Sequence, residues 1–218
     1  MTRPVLIGAI AVVLVGGGAA AYMLTKDDDK SSTDNTSQQA QNNQPAGAFD
    51  AASTEGLEFK ATITTTASGQ ATESTIEHDD KGSTRYVASA GGQQTEIIYT
   101  SDAYYLCSGS NTCIKYSLDQ PSSVSFNPKD YEYGTDKLAG YKSGAAYKGQ
   151  QSCPSGTCDV WSVSGGGGTT TLYVDASTKR ITQVETTVNS ATSKIVYDYT
   201  DVTINIPANA QTIPVPAQ

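Results

Sequence analysis

The residues with the types to do chemistry are few: four cysteines, one histidine and a scatter of carboxylates. The cysteines fall in two close pairs, CSGSNTC at 107–113 and CPSGTCDVW at 153–161. A redox dithiol keeps two residues between its thiols, whereas five and four intervene here. A zinc site built from all four cysteines wants closer spacings and belongs in a reducing compartment. The remaining chemistry is cross-linking, and it depends on which side of a membrane the thiols reside.

Histidine and acid chemistry find little support. His78 ends a strand-like stretch beside Asp79 and Asp80, which reads as an exposed surface residue rather than a base. The sequence holds no nucleophile elbow, no HExxH and no metal-spaced histidines. No catalytic residue, cofactor or metal is assigned, and the chain reads as a non-enzyme.

The compartment follows from the N-terminus. Val5 to Leu24 carries no charge, and a helix of that length spans roughly 30 Å, the thickness of a bilayer core. Arg3 precedes the run and KDDDK follows it, which places the remainder outside the cytoplasm by the positive-inside rule. Residues 1–25 are therefore expected to form a single-pass transmembrane anchor in the cell membrane of a bacterial envelope. Ala19-Ala20-Ala21 also fits a cleavage site, which would instead release a secreted protein. The apolar run continues past that site to Leu24, which favours the anchor. Either way the cysteines are exported, and an even number in two short pairs reads as disulfides Cys107–Cys113 and Cys153–Cys158, each closing its own hairpin. Loops this short add only about 2 kcal/mol apiece.

Residues 26–47 contain no Val, Ile, Leu or aromatic residue and cannot offset their ordering entropy, so they read as a disordered polar linker. The extracytoplasmic domain is then 48–218. All 22 acidic residues follow the expected span, against all 14 basic ones save Arg3. With no basic stripe for phosphate contacts, neither nucleic acid nor anionic lipid headgroups are expected as partners.

That domain is patterned for strands nearly throughout. LEFKATITTTA alternates Leu57, Phe59, Ala61 and Ile63 with Glu58, Lys60, Thr62 and Thr64. About a dozen such segments, the last being VTINI at 202–206, are separated by turn signals such as Ser68-Gly69 and Gly91-Gly92. They imply a meandering antiparallel sheet. Residues 126–144, FNPKDYEYGTDKLAGYKSG, break the rhythm; Asn127-Pro128 is a helix-start signal, and a connection this long suggests a lid bearing Tyr131, Tyr133, Leu138 and Tyr141.

The closing segments, TTTLYVDASTKRITQVETTV and KIVYDYTDVTINIPANA, resemble the last strands of the bacterial lipoprotein-carrier superfamily, which includes periplasmic lipoprotein carriers and mycobacterial lipid-carrier lipoproteins. The matching elements are Leu172–Asp175, Lys179–Val188, Ile195–Tyr199 and Val202–Pro207, and the resemblance extends loosely over 56–207. It implies a mainly β half-barrel, a single curved antiparallel sheet with a short helical lid, enclosing a lipid or lipoprotein acyl chain. The cavity candidates are Leu57, Phe59, Ile63, Ile98, Tyr105, Trp161, Leu172, Val184 and Val196. The chain departs from the superfamily in having only FDAASTEG before the first strand, and an anchor in place of the lipoprotein cysteine. A surface interaction or envelope-sensing domain with a filled interior is the alternative.

On fractionation of cells making the chain, the full-length protein is expected in the membrane; a mature form starting at Tyr22 would assign the segment to a cleaved signal.

Overall fold

The computed structural model describes residues 49–108, 112–118, 126–165 and 167–212. The expected anchor and linker lie outside the described residues. Among the described residues no helix is long and apolar enough to cross a membrane.

Turn chemistry sets the first half of the domain. Ser68 and Gly69 have φ of 52° and 77°, and Gly91 and Gly92 have 58° and 78°. Two consecutive positive φ angles make the tight turn whose twist matches antiparallel strands. A meander of β1 (Phe59–Ala67), β2 (Gln70–His78), β3 (Thr84–Ala90), β4 (Gln93–Tyr99), β5 (Ala103–Ser108) and β6 (Thr112–Ser117) results. A second meander follows: β7 (Ala146–Cys153), β8 (Gly156–Gly165), β9 (Gly168–Asp175), β10 (Ile181–Val188) and β11 (Ala191–Asp198). A short strand, β12 (Gln211–Thr212), comes last. Among the described residues between the meanders lie a 3-10 turn, Pro128–Tyr131, and a helix, α1 (Thr135–Lys142). The helix-start signal is used at the 3-10 turn, where the Asn127 side chain accepts from the Lys129 amide at 3.2 Å.

All strands join one sheet in the order β12-β6-β5-β4-β3-β2-β1-β11-β10-β9-β8-β7. The two meanders are sewn together by β1 and β11, from Lys60↔Asp198 to Thr66↔Thr192. Both expected disulfides are present: Cys107 faces Cys113 across β5–β6, and Cys153–Cys158 spans the β7–β8 turn.

Two details differ from the sequence reading. VTINI forms no ladder; it runs extended, with Ile204 buried against Ile98, Ala103, Tyr105 and Cys107 and with the Val202 amide on Glu58 Oε1 at 3.2 Å. The last strand is instead β12, and it pairs with β6 in parallel, so the sheet is mixed. The reason is geometric: the tail leaves β11 near the middle of the sheet and ends at the β6 edge, so it crosses the strands instead of following one.

The two faces differ. Phe59, Ile63, Ile76, Tyr86, Ile97, Leu172, Val184, Ile195 and Tyr197 all join one buried cluster although they come from strands across the sheet. The sheet is open and curved, and this apolar, covered face is its concave side. The other face is polar over β1–β4, where Arg85 bridges Glu77 and Glu96 and Lys60 meets Glu77.

Leu172 is fully buried between Trp161 and Val184 on the concave face, so Leu172→Ala is expected to cost about 2–5 kcal/mol in urea unfolding. Val196→Ala, on the opposite face, is expected to cost less than about 1 kcal/mol. Equal costs would contradict the facing assigned here.

Candidate ligand site beneath the lid

Because β6 and β7 lie at opposite sides of the sheet, their connection must cross it, and it crosses the concave side. Phe126 packs on Tyr86 of β3 and Tyr99 of β4, with ring centroids 4.9 and 5.5 Å apart. Further on, the Tyr131 carbonyl accepts from the Tyr197 hydroxyl of β11 at 3.2 Å. Tyr131, Tyr133 and Leu138 are buried in the concave cluster, and Tyr141 packs half-buried against it. Segment 126–144 therefore lies over the concave face.

A second cover was not foreseen. Residues 49–57, ahead of β1, form no helix and lie on the same face. Phe49 is 2% exposed and meets Trp161 edge-on at 5.5 Å. The covers are tied together: the Thr54 amide donates to the Tyr133 carbonyl at 3.0 Å, and the Tyr133 amide donates to Thr54 Oγ1 at 2.9 Å. A buried phenylalanine preceded only by polar and small residues was the available signal.

Of the residues proposed as cavity lining, Phe59, Ile63, Trp161, Leu172 and Val184 come together under the covers. Ile98 and Tyr105 do not; they form the second cluster on the convex face with Ile204. Val196 is half-buried between Ile195 and Tyr197 and points away from them, and Leu57 precedes β1, half-buried, in neither cluster. Runs such as Ile97-Ile98 and Ile195-Val196-Tyr197 are apolar at consecutive positions, so alternation could not choose the inner residue.

His78 corrects another expectation. It is 6% exposed, stacked on Phe59 at 5.5 Å, with Nδ1 2.9 Å from Thr84 Oγ1 and 3.9 Å from Glu132 Oε1 of the cover. The β2–β3 turn folds inward because Asp79 Oδ1 accepts from the Lys81 and Ser83 amides.

The concave face is graded along its strands. One row across the sheet reads Trp161, Leu172, Val184, Ile195, Ile63. Two residues along, the next row reads Val163, Thr170, Thr186, Ser193, Thr65, and hydroxyls replace apolar groups. Between these rows and α1 runs a crevice lined by Thr170, Val184, Thr186 and Ile195 from the sheet and by Tyr131, Tyr133, Tyr141, Asp130 and Lys137 from the lid. Its enclosed volume is about 10 Å³, the room of one water. Burial pushes the Lys137 amine down to about 8, against the pull of Asp130 and Glu132. The Asp130 carboxyl is pushed up by burial, opposed by Lys137. Among the described residues no group of three or more His, Cys, Asp and Glu is placed to hold a metal ion.

No family model and no curated relative matches the chain. Solved structures do. LprF from Mycobacterium bovis matches with a TM-score of 0.49 at 16% identity, over 72% of this chain and 92% of that one. The lipoprotein LppX from Mycobacterium tuberculosis matches at 0.47 and 9%, over 70% and 91%. An uncharacterized conserved protein from Thermus thermophilus matches at 0.45 and 12%, over 73% and 91%. At these identities and TM-scores the chain is similar to these structures in outline only. With every one of these TM-scores below 0.5, the likeness says nothing about ligand, and what the site binds has to come from its own geometry.

The tyrosines of this seam give a pH signature. Burial raises the phenols of Tyr131, Tyr133 and Tyr197 above their ordinary value of about 10. Above pH 10 the unfolded chain releases these protons while the folded chain keeps them, so the folded state binds more protons and stability falls as pH rises. Lys137 acts in the opposite sense between about 8 and 10.4, but as one amine against three phenols. Thermal melts are expected to fall steeply above pH 10, by about 1 kcal/mol per phenol per pH unit. Tyr197→Phe should flatten the fall, and a melting temperature level to pH 11.5 would contradict the burial of these hydroxyls.

Proposed function

We propose that the domain is a non-catalytic binder of a lipid or lipoprotein acyl chain, taken up on the concave face beneath segment 126–144 and working outside the cytoplasm from a membrane anchor. The observation that carries this reading is the nature of the cover. An apolar floor drawn from strands across one sheet is closed by a crossing segment, where a second sheet would have made a permanent core. That segment is weakly built for a core element. Its helix has eight residues, is N-capped by Gly134 with no side-chain hydrogen bond, contains Gly140, and has Leu138 as its buried residue. Covers of this kind come from the low-stability end of a fold and open before the sheet does. The two disulfides support an oxidising compartment.

Ligand pockets typically hold roughly 300–1,000 Å³, far more than the crevice of about 10 Å³, so uptake requires the lid to lift and the chain to take the place of Tyr131, Leu138 and Tyr141. The same tight closure supports a second reading, an interaction domain whose lid is simply part of its core.

Binding of a fluorescent long-chain fatty acid and native mass spectrometry of co-purifying lipid separate the two. Under the acyl-chain reading, Leu138→Ser with Tyr141→Ser reduces retention about tenfold or more while the sheet's unfolding transition moves little. No bound lipid in the wild type, with a loss of about 2–5 kcal/mol per substitution in the variant, would favour the filled interior.

A further inference from the structure

The crevice beside α1 contains charge and hydroxyl groups that an acyl chain alone would not use. Lys137 reaches back from the helix so that its Nζ donates to the Asp130 and Glu132 carbonyls and sits 4.3 Å from the centroid of the Tyr133 ring. All three are neutral partners. Among the described residues no carboxylate comes within 4.0 Å of this ammonium, although it is half-buried and lines the crevice. A charge withdrawn from water is ordinarily paired, and this one has no carboxylate partner; an anion would reach it when the lid lifts.

The sheet supplies a second, independent sign. Thr170 and Thr186 face Lys137 across the crevice, 8% and 9% exposed, sharing one hydrogen bond of 3.3 Å between their hydroxyls. Directly opposite Thr186, on the same face, Ser193 is 6% exposed and its Oγ has no hydrogen-bond partner. A buried hydroxyl left unpaired is costly to the fold. Thr170 and Thr186 across the crevice from an ammonium with no carboxylate partner, with Ser193 next in their row and a row of Leu, Val and Ile one pleat away, match an amphiphile whose anionic oxygens meet the first and whose chain lies on the second.

Resting on the acyl-chain reading above, we infer that the Lys137 crevice is the headgroup site: the ligand is a single-chain amphiphile with an anionic oxygen head, carboxylate or phosphate monoester, held by Lys137 Nζ and the hydroxyls of Thr170, Thr186 and Ser193. Asp130 also lines the crevice and works against an anion, so it tunes affinity downward.

Trp161 provides the readout. It is the chain's single tryptophan and lies in the same row as Leu172 and Val184, so a brominated acyl chain on the concave face quenches its fluorescence. The purified full chain would be titrated with a dibrominated stearic acid, its methyl ester, the corresponding alkyl phosphate, and inorganic phosphate as competitor. The acid and the alkyl phosphate are expected to bind at least about tenfold tighter than the ester, as befits hydrogen bonds to a charged group. Lys137→Met should abolish that preference while leaving ester binding within about threefold, and Thr186→Val should reduce it. Asp130→Asn should enlarge it. Acid and ester binding equally in the wild type, or a preference that survives Lys137→Met, would overturn the headgroup site while leaving the acyl-chain reading intact. Inorganic phosphate abolishing acid binding but not ester binding would support the site. Phosphate protecting against thermal unfolding with no quenching by any brominated chain would make it a free-anion site and overturn both.

Discussion

The order of strands in the sheet constrains almost everything else. Each half of the chain folds as a meander, and the halves join through β1 and β11, the first strand of one and the last of the other. Joining them this way sends the end of the first meander and the start of the second to opposite sides. The linking segment then has no route but across a face. A single sheet cannot bury both of its faces by itself, and this chain uses the obligatory crossing as cover for one of them. The curl of the sheet and the position of α1 over β9–β11 follow from that.

The seam between cover and sheet is made largely of tyrosine. Tyr86, Tyr99 and Phe126 pack as a group, Tyr131 stacks on Phe126, and Tyr133 meets Tyr197 edge-on at 5.9 Å. Tyrosine gives broad apolar area with a polar end, so a lid built from it can be buried when shut and wetted when lifted at less cost than one of phenylalanine. The Tyr197 hydroxyl uses its polar end to fix the Tyr131 carbonyl, and Tyr199 does the same with the Ile181 carbonyl at 2.7 Å. An all-hydrocarbon seam would leave such backbone carbonyls, one in the cover and one at the start of β10, unsatisfied.

Much of this was legible beforehand, for reasons that can be located. Alternation in FKATI and turn pairs such as Ser68-Gly69 are local signals, and they placed strands within a residue or two. The disulfides were readable once Val5–Leu24 had suggested export, because short spacings leave few geometries. The lid announced itself as the one stretch with neither alternation nor a turn's brevity. What the sequence hid was facing and distance. Ile98, Tyr105 and Val196 sit beside equally apolar neighbours, so nothing local says which points inward. His78 reads as surface because its burial depends on Glu132 and Phe59, remote in sequence. VTINI alternates like a strand, yet no free edge runs alongside it.

The β1–β11 pairing also dictates an order of events. Antiparallel neighbours within each meander are close in sequence and can pair early, whereas β1 must wait for a strand from the far end of the domain. Contacts of such long sequence separation slow folding, and until they form β1 has a bare edge with Phe59, Ala61 and Ile63 uncovered. A chain emerging N-terminus first therefore carries an uncovered half-sheet until residues near 198 arrive, which puts its aggregation risk in synthesis, ahead of the finished fold.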